Sequence, residues 1–356
     1  MTYERNRLVV VGGVAAGASA AAKARRMSEE IEITLLESGP YISFANCGLP
    51  YYVGGEIKSR NSLFVTNARD FSARFNVDVR TGTTATRLDR GRQTATTRDA
   101  GGLERELPYD RIILATGTEA LRPPVPGLDA DSIFTVRTVP DVDRIAARLN
   151  SLNVMRAGKR GGPTPRARAL VIGAGYIGLE TAEQFKHLGL DVTVVELADQ
   201  VMSTLDSEMA FPIELALKNA GIKVILSDGL REIDEAEGVS VARTASGKEI
   251  PFEVGILAAG VKPNVELAVE AGIELGRSGA IRVDQHQRTC DPSIFAAGDN
   301  SEALHLVTGQ PVNLPLAGPA NKAGRIAGAN AALDLIGAGE SDPRRLKLQG
   351  VLGTAV

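Results

Sequence analysis

The sequence predicts an α/β fold in which one strand–turn–helix unit is inserted into another. Three observations predict it. LVVVGGVAAGASAAAKARR, from Leu8, passes from an apolar β-branched run through paired glycines into an alanine-rich helical pattern. ALVIGAGYIGLETAEQFKHLGLDVTVVE, from Ala169, repeats that order. Two more apolar strands that end in glycine turns, YDRIILATGT at 109–118 and TCDPSIFAAGDN at 289–300, lie on either side of this second copy. That spacing implies nesting.

In the first unit the strand breaks at Gly12-Gly13 and the helix starts near Ala15. Strand, glycine turn and helix form the phosphate-binding corner of a Rossmann unit, where backbone N–H groups and the helix dipole meet a pyrophosphate. The next strand, IEITLLE, ends in Glu37, twenty residues after Gly17, where an acid should meet a ribose diol. Counted from Gly12, the middle glycine of G-x-G-x-x-G is Val14. An α/β turn without a ligand would read similarly. The second unit fills all three positions with Gly173, Gly175 and Gly178, and its following strand ends in Glu196. Glu196 would accept from a free 2′-hydroxyl and repel a 2′-phosphate. Leu197 and Ala198 follow it with no cation close by, so NADH is expected over NADPH.

Composition narrows the function classes. The chain of 356 residues is 44% hydrophobic and 23% charged, which suits two soluble domains of ordinary size. A net charge of −3 gives no footprint for nucleic acid, and no apolar run approaches the ~18 residues of a membrane span. MTYERNRLVVVGG enters a strand without a leader pattern. Two distant cysteines argue against a disulfide scaffold and for a reducing compartment, so a cytoplasmic protein is expected. Cys290, before an apolar strand, reads as a small buried hydrophobe. Cys47, in SFANCGLPYYVGG at 43–55, has no cysteine beside it.

GGVAAGASAAAKARR together with SFANCGLPYY resembles the single-cysteine branch of the flavin-dependent pyridine nucleotide–disulfide oxidoreductases, over essentially the whole chain. That branch holds coenzyme A–disulfide reductases, NADH-dependent persulfide or polysulfide reductases, and NADH oxidases and peroxidases. The resemblance implies FAD on Gly12, Val14, Ala15, Ala16, Gly17, Glu37 and Ser38, with Ala85, Ala115, Thr116, Gly117, Asp299 and Ala317 along the rest of the flavin. It implies NAD(P)H on Gly173, Gly175, Tyr176, Ile177, Gly178, Glu180, Glu196 and Gly260. Tyr176 would stack on the flavin and Glu180 would lie near the carboxamide.

Positions 42 and 52 are Ile and Tyr, so Cys47 has no partner at the spacing of two-cysteine relatives and could cycle through a mixed disulfide with a small thiol or a sulfenic acid; SFANCGLP resembles the coenzyme A branch, which implies a mixed disulfide with coenzyme A. Hydride would pass from NAD(P)H through FAD to that cysteine, to reduce a small disulfide, persulfide or polysulfide. Lys23, Arg26, Ser43 and Asn46 would hold coenzyme A, with Arg25 a neighbour; a solvated helix end explains the cations equally. The alternatives are an NADH oxidase or peroxidase using a cysteine sulfenate, and a redox electron-transfer module for a protein partner. No metal is expected.

The implied domains are residues 1–118 with 265–335 for FAD, and 119–264 for NAD(P)H with a basic surface insertion at about 151–168. Residues 336–356 would begin an α+β interface domain that the chain breaks off, and which makes a homodimer in full-length relatives.

Overall fold

A computed structural model describes residues 6–154, 167–236 and 239–353. The chain forms two compact units. The first takes the described residues up to Phe44, Phe64–Thr118 and those from Pro263 onward; the second takes Ala45–Leu63 and the described part of Glu119–Lys262. Of the basic stretch expected as a surface insertion at about 151–168, residues 155–166 lie outside the described residues.

Each unit is built on a five-stranded parallel sheet. In the first the order is Ile294–Ala296, Arg111–Leu114, Arg7–Val11, Glu32–Glu37, Asp78–Thr81. Leu8 pairs with Ile33 and Arg111, so the first strand is central and enclosed by two parallel neighbours. Leu8, Val9, Val10, Leu35, Ile113 and Phe295 are fully buried; each stabilises the sheet by about 1.5–3 kcal/mol. The helix Ala15–Met27 covers this sheet against the helix Ala317–Leu335. Their alanines and glycines allow the backbones to touch: a Cβ on Gly324 would stand 2.1 Å from the Ala16 carbonyl oxygen, and one on Gly328 2.1 Å from that of Ala20.

The second sheet repeats the plan as Ile133–Phe134, Val254–Leu257, Arg168–Ile172, Asp191–Val195, Lys223–Ile225. Both units add an antiparallel three-stranded meander before the returning strand, Thr83–Asp89 to Glu104–Pro108 in one and Leu230–Ala236 to Glu249–Phe252 in the other. In the first unit the outer strand next to Arg111–Leu114 comes late in the chain, from Ile294–Ala296. In the second its counterpart, Ile133–Phe134, comes early.

Two segments are grouped differently from the sequence expectation. Residues Ala45–Leu63, read as part of the flavin domain, cluster with the second unit. Side-chain bonds explain it: Arg60 pairs with Asp143 through two donors at 2.7 and 2.8 Å, and Tyr51 donates to Glu180 at 3.2 Å. Residues 336–353, expected to open a separate domain, return to the first unit. Arg345 pairs with Asp334 at 2.8 Å, and Asn330 donates to the Leu346 carbonyl at 2.9 Å.

Candidate functional site

The two glycine turns share one construction. Gly12 and Gly173 close the strand-to-helix turn at φ +102° and +104°, where a side chain is strained, and their Cβ positions lie 2.1 and 2.3 Å from the carbonyls of Ala115 and Ala258. Gly17 and Gly178 let the helix settle on the turn: a Cβ would stand 1.7 Å and 2.1 Å from the carbonyls of Gly12 and Gly173. Packing within the protein thus accounts for these four glycines. It does not account for Gly175, whose Cβ would meet nothing within 4 Å and whose φ of −83° suits any residue.

Both helices open without a side-chain cap and without an acid in the first turn, so their leading N–H groups have no side-chain acceptor. The acid at the end of each second strand closes on its turn. Glu37 accepts from Gly13 N–H at 2.7 Å and Gly39 N–H at 2.7 Å; Glu196 accepts from Ala174 N–H at 2.6 Å and Ala198 N–H at 2.9 Å. A carboxylate oxygen has two lone pairs, so each still has acceptor capacity for a hydroxyl. Burial pushes the Glu37 carboxyl up from its ordinary range, and the Gly39 and Gly13 amides pull against that. Uncapped helix starts, an acid aimed at the turn and the free space at Gly175 fit a dinucleotide in each unit.

Around the first turn, Ser38 is exposed and lies 3.5 Å from a Glu37 oxygen, and Ala85 sits where the meander's register shifts. The strand ends form a polar lattice that the sequence did not reveal. Asn300, fully buried, donates to the Leu114 carbonyl and Thr116 Oγ1 at 3.0 Å each, and Thr116 donates to the Asn264 carbonyl at 2.6 Å. This fixes Ala115, Thr116 and Gly117, the last at φ +68°. Gly298 brings the next strand end against Ala16, its Cβ position 2.8 Å from that methyl. Asp299 follows, its carbonyl accepting from Asn313 at 2.8 Å, and Ala317 begins the long helix.

In the second unit Tyr176 heads the helix Tyr176–His187 and is 40% exposed. Ile177 accepts from Thr181 at 2.7 Å, and Gly260 has φ +107° with open space at its Cβ position. Glu180, Gln184 and His187 follow Tyr176 at spacings of four, four and three, forming one helix face. The cysteine segment lies along that face. Tyr51 donates to Glu180 at 3.2 Å, Gln184 donates to Glu56 at 2.8 Å, and His187 is 3.7 Å from Glu56. Burial raises the Glu180 carboxyl, against the lowering by the Tyr51 hydroxyl; burial and then Glu180 raise the Tyr51 phenol. Cys47 is exposed in the tight turn Asn46–Gly48, ahead of the five-residue helix Leu49–Val53. Asn46 directs its amide to the Arg137 carbonyl at 3.1 Å.

Two expectations are corrected. Cys290 is exposed, because the apolar strand starts only at Ile294 and residues 289–293 form a turn held by Thr289 and Asp291. Arg25 is not a surface neighbour of Arg26. It is 5% exposed, and its guanidinium donates to the carbonyls of Phe75, Ser28, Glu29 and Asn76 at 2.8–3.2 Å. Arg26 is exposed, with its guanidinium carbon 5.6 Å from the Phe75 ring centroid, and Lys23 is half-buried. Ser43, at φ +48°, donates its N–H to the Gly13 carbonyl at 3.0 Å.

Comparison with known proteins places this geometry. The chain is 35% identical over 327 residues to an NADH oxidase of Methanocaldococcus jannaschii, covering 92% of this chain and 70% of that one. It is 31% identical over 353 residues to an NAD(P)H coenzyme A polysulfide/persulfide reductase of Pyrococcus horikoshii, covering 99% and 73%. The crystal structure of reduced Bacillus anthracis CoADR-RHD superposes with a TM-score of 0.88 at 39% identity, covering 99% of this chain but only 60% of that one. A sequence model described as pyridine nucleotide-disulphide oxidoreductase matches residues 6–324, and the chain belongs to that family.

Proposed function

We propose that this chain is the two-nucleotide part of an NADH-dependent, FAD-containing reductase in which Cys47 cycles through a mixed disulfide with coenzyme A, to reduce coenzyme A disulfide or a persulfide or polysulfide. The observation that carries the reading is Cys47 itself: an exposed thiol four residues before Tyr51, which is hydrogen-bonded to the helix that follows the glycine turn at Gly173, with the chain's other cysteine in the other unit. Relatives named for coenzyme A-dependent sulfur reduction support it over nearly the full chain.

Gly12, Val14 and Ala15 to Gly17 would receive the FAD pyrophosphate, Glu37 its ribose, and Ala115 to Gly117, Asp299 and Ala317 the remainder. Bound FAD supplies a two-electron carrier between a hydride donor and a disulfide. Gly175 gives NADH room to approach, and Glu196 accepts from its ribose diol. Cys47 as thiolate attacks one sulfur of the substrate, forming a Cys47–S–S–R bond and releasing R′S⁻. Two electrons and a proton then release RSH and restore the thiolate. The balance is NADH + H⁺ + RSSR′ → NAD⁺ + RSH + R′SH. Arg26 and Lys23 would supply cations for coenzyme A phosphates, and Ser43 and Asn46 polar contacts for its arm. We place the protein in the cytoplasm as a homodimer; among the described residues no helix is long and apolar enough to cross a membrane.

Intact mass of the non-reduced protein tests this. An adduct of coenzyme A mass, removed by dithiothreitol and absent from Cys47→Ser, is expected. A bare chain, or one carrying a single added oxygen on Cys47, refutes it and favours the sulfenate oxidase, the reading that the 35% identical NADH oxidase supports.

A further inference from the structure

The cysteine segment is bound to the nucleotide-binding helix along one stripe of side chains. Glu180, Gln184 and His187 meet Tyr51 and Glu56, and Gly54 is pressed so close to Gln184 that a Cβ there would stand 1.7 Å from the amide oxygen. Tyr51 is four residues from Cys47 in the chain. Glu180 is one helical turn from Tyr176 and five residues from Gly175. The phenol–carboxylate bond therefore joins the thiol's own turn to the mouth of the nucleotide turn.

We infer that Tyr51 is a positioning residue for the nicotinamide half of the reaction: its hydroxyl, 3.2 Å from a Glu180 oxygen, holds that carboxyl group turned to receive the amide of the nicotinamide ring. This rests on the nucleotide assignment proposed above. The chemistry asks for such a donor. Glu180 is half-buried and faces Glu183 on its own helix, and both effects favour its neutral form. Glu56, which faces the Tyr51 phenol, adds another negative charge on the cysteine segment, with His187 beside it. The Tyr51 hydroxyl is the group in this set that stabilises the Glu180 anion through a hydrogen bond. A carboxylate is the better acceptor for an amide N–H and the better neighbour for the cationic ring of NAD⁺.

The experiment is calorimetric titration of the FAD-loaded full chain with NAD⁺ from pH 5 to pH 9, for the parent, Tyr51→Phe and Glu180→Gln. Tyr51 donation lowers the Glu180 pKa, so its removal raises it. In the parent, affinity falls as the pH drops through the Glu180 titration. In Tyr51→Phe that fall is displaced upward by about one pH unit, the scale of one hydrogen bond to a charged group. In Glu180→Gln it is absent. Superimposable curves for the parent and Tyr51→Phe overturn the inference, as does unchanged pH dependence in Glu180→Gln, which probes the pair from the other side should Tyr51→Phe fold poorly. Absence of NAD⁺ binding by the parent is a different failure, because it removes the nucleotide reading itself and the inference with it.

Discussion

Gly175→Ala and Gly178→Ala lie three residues apart and should fail in opposite ways. At Gly178 the new methyl would stand 2.1 Å from the Gly173 carbonyl oxygen, well inside the 3.0 Å that real Cβ contacts respect, and a tight 3.3 Å from Val171 Cγ1. The helix must back off by roughly 1 Å, and such overpacking costs about 1–3 kcal/mol. For a unit of this size that lowers the melting temperature by about 2–4 °C per kcal/mol. At Gly175 the backbone is extended and nothing lies within 4 Å, so the folded protein has no reason to resist the methyl. Alanine there also narrows the unfolded ensemble, worth about 0.4–1 kcal/mol in favour of folding. Under the proposed NADH site the methyl would take space the pyrophosphate needs, so NADH affinity should fall about tenfold or more, equivalent to about 1.4 kcal/mol. Thermal melts of the FAD-loaded protein and an NADH titration read both effects. If Gly175→Ala binds NADH like the parent, or if Gly178→Ala melts like the parent, the division of the turn into packing and ligand positions is mistaken.

Three other substitutions separate architecture from site. Gly324→Ala drives a methyl into the Ala16 carbonyl and should destabilise the first unit by about 1–3 kcal/mol, with earlier loss of FAD on heating, read from free flavin fluorescence. Arg25→Met leaves four carbonyls to find other donors and should cost about 2–4 kcal/mol, whereas Arg26→Ala should melt within about 0.5 kcal/mol of the parent and reduce only the yield of the coenzyme A adduct. A stable Arg25→Met would refute the structural role given to Arg25.

What could be read from the residues was local in the chain. Strand, glycine turn, helix and terminal acid span about thirty residues, and both copies fold where periodicity puts them, with helices from Ala15 and Tyr176 and strands ending at Glu37 and near Glu196. What could not be read depends on distant partners. Tyr51 and Glu180 are 129 residues apart, and Asn300 and Leu114 are 186 apart. Neither pair leaves a pattern in its own segment. The grouping of residues 45–63 rests on remote bonds such as Tyr51 to Glu180 and Arg60 to Asp143, which a reading along the chain does not show. Arg25 and Arg26 show the same limit at the smallest scale. Adjacent in an identical composition, they diverge because one points at the carbonyls of Phe75 and Asn76 and the other along the Phe75 ring.

The clasp of Glu196 on the Ala174 and Ala198 amides bears on anyone who wishes to change which coenzyme this protein prefers. That carboxylate serves the protein's own backbone besides any ribose, because it supplies the acceptor that two backbone donors use. Exchanging it for a cation to welcome a phosphorylated ribose would strand both donors and slacken the loop proposed to hold the pyrophosphate. A successful redesign would have to provide a substitute acceptor for those amides first, and only then place the arginine.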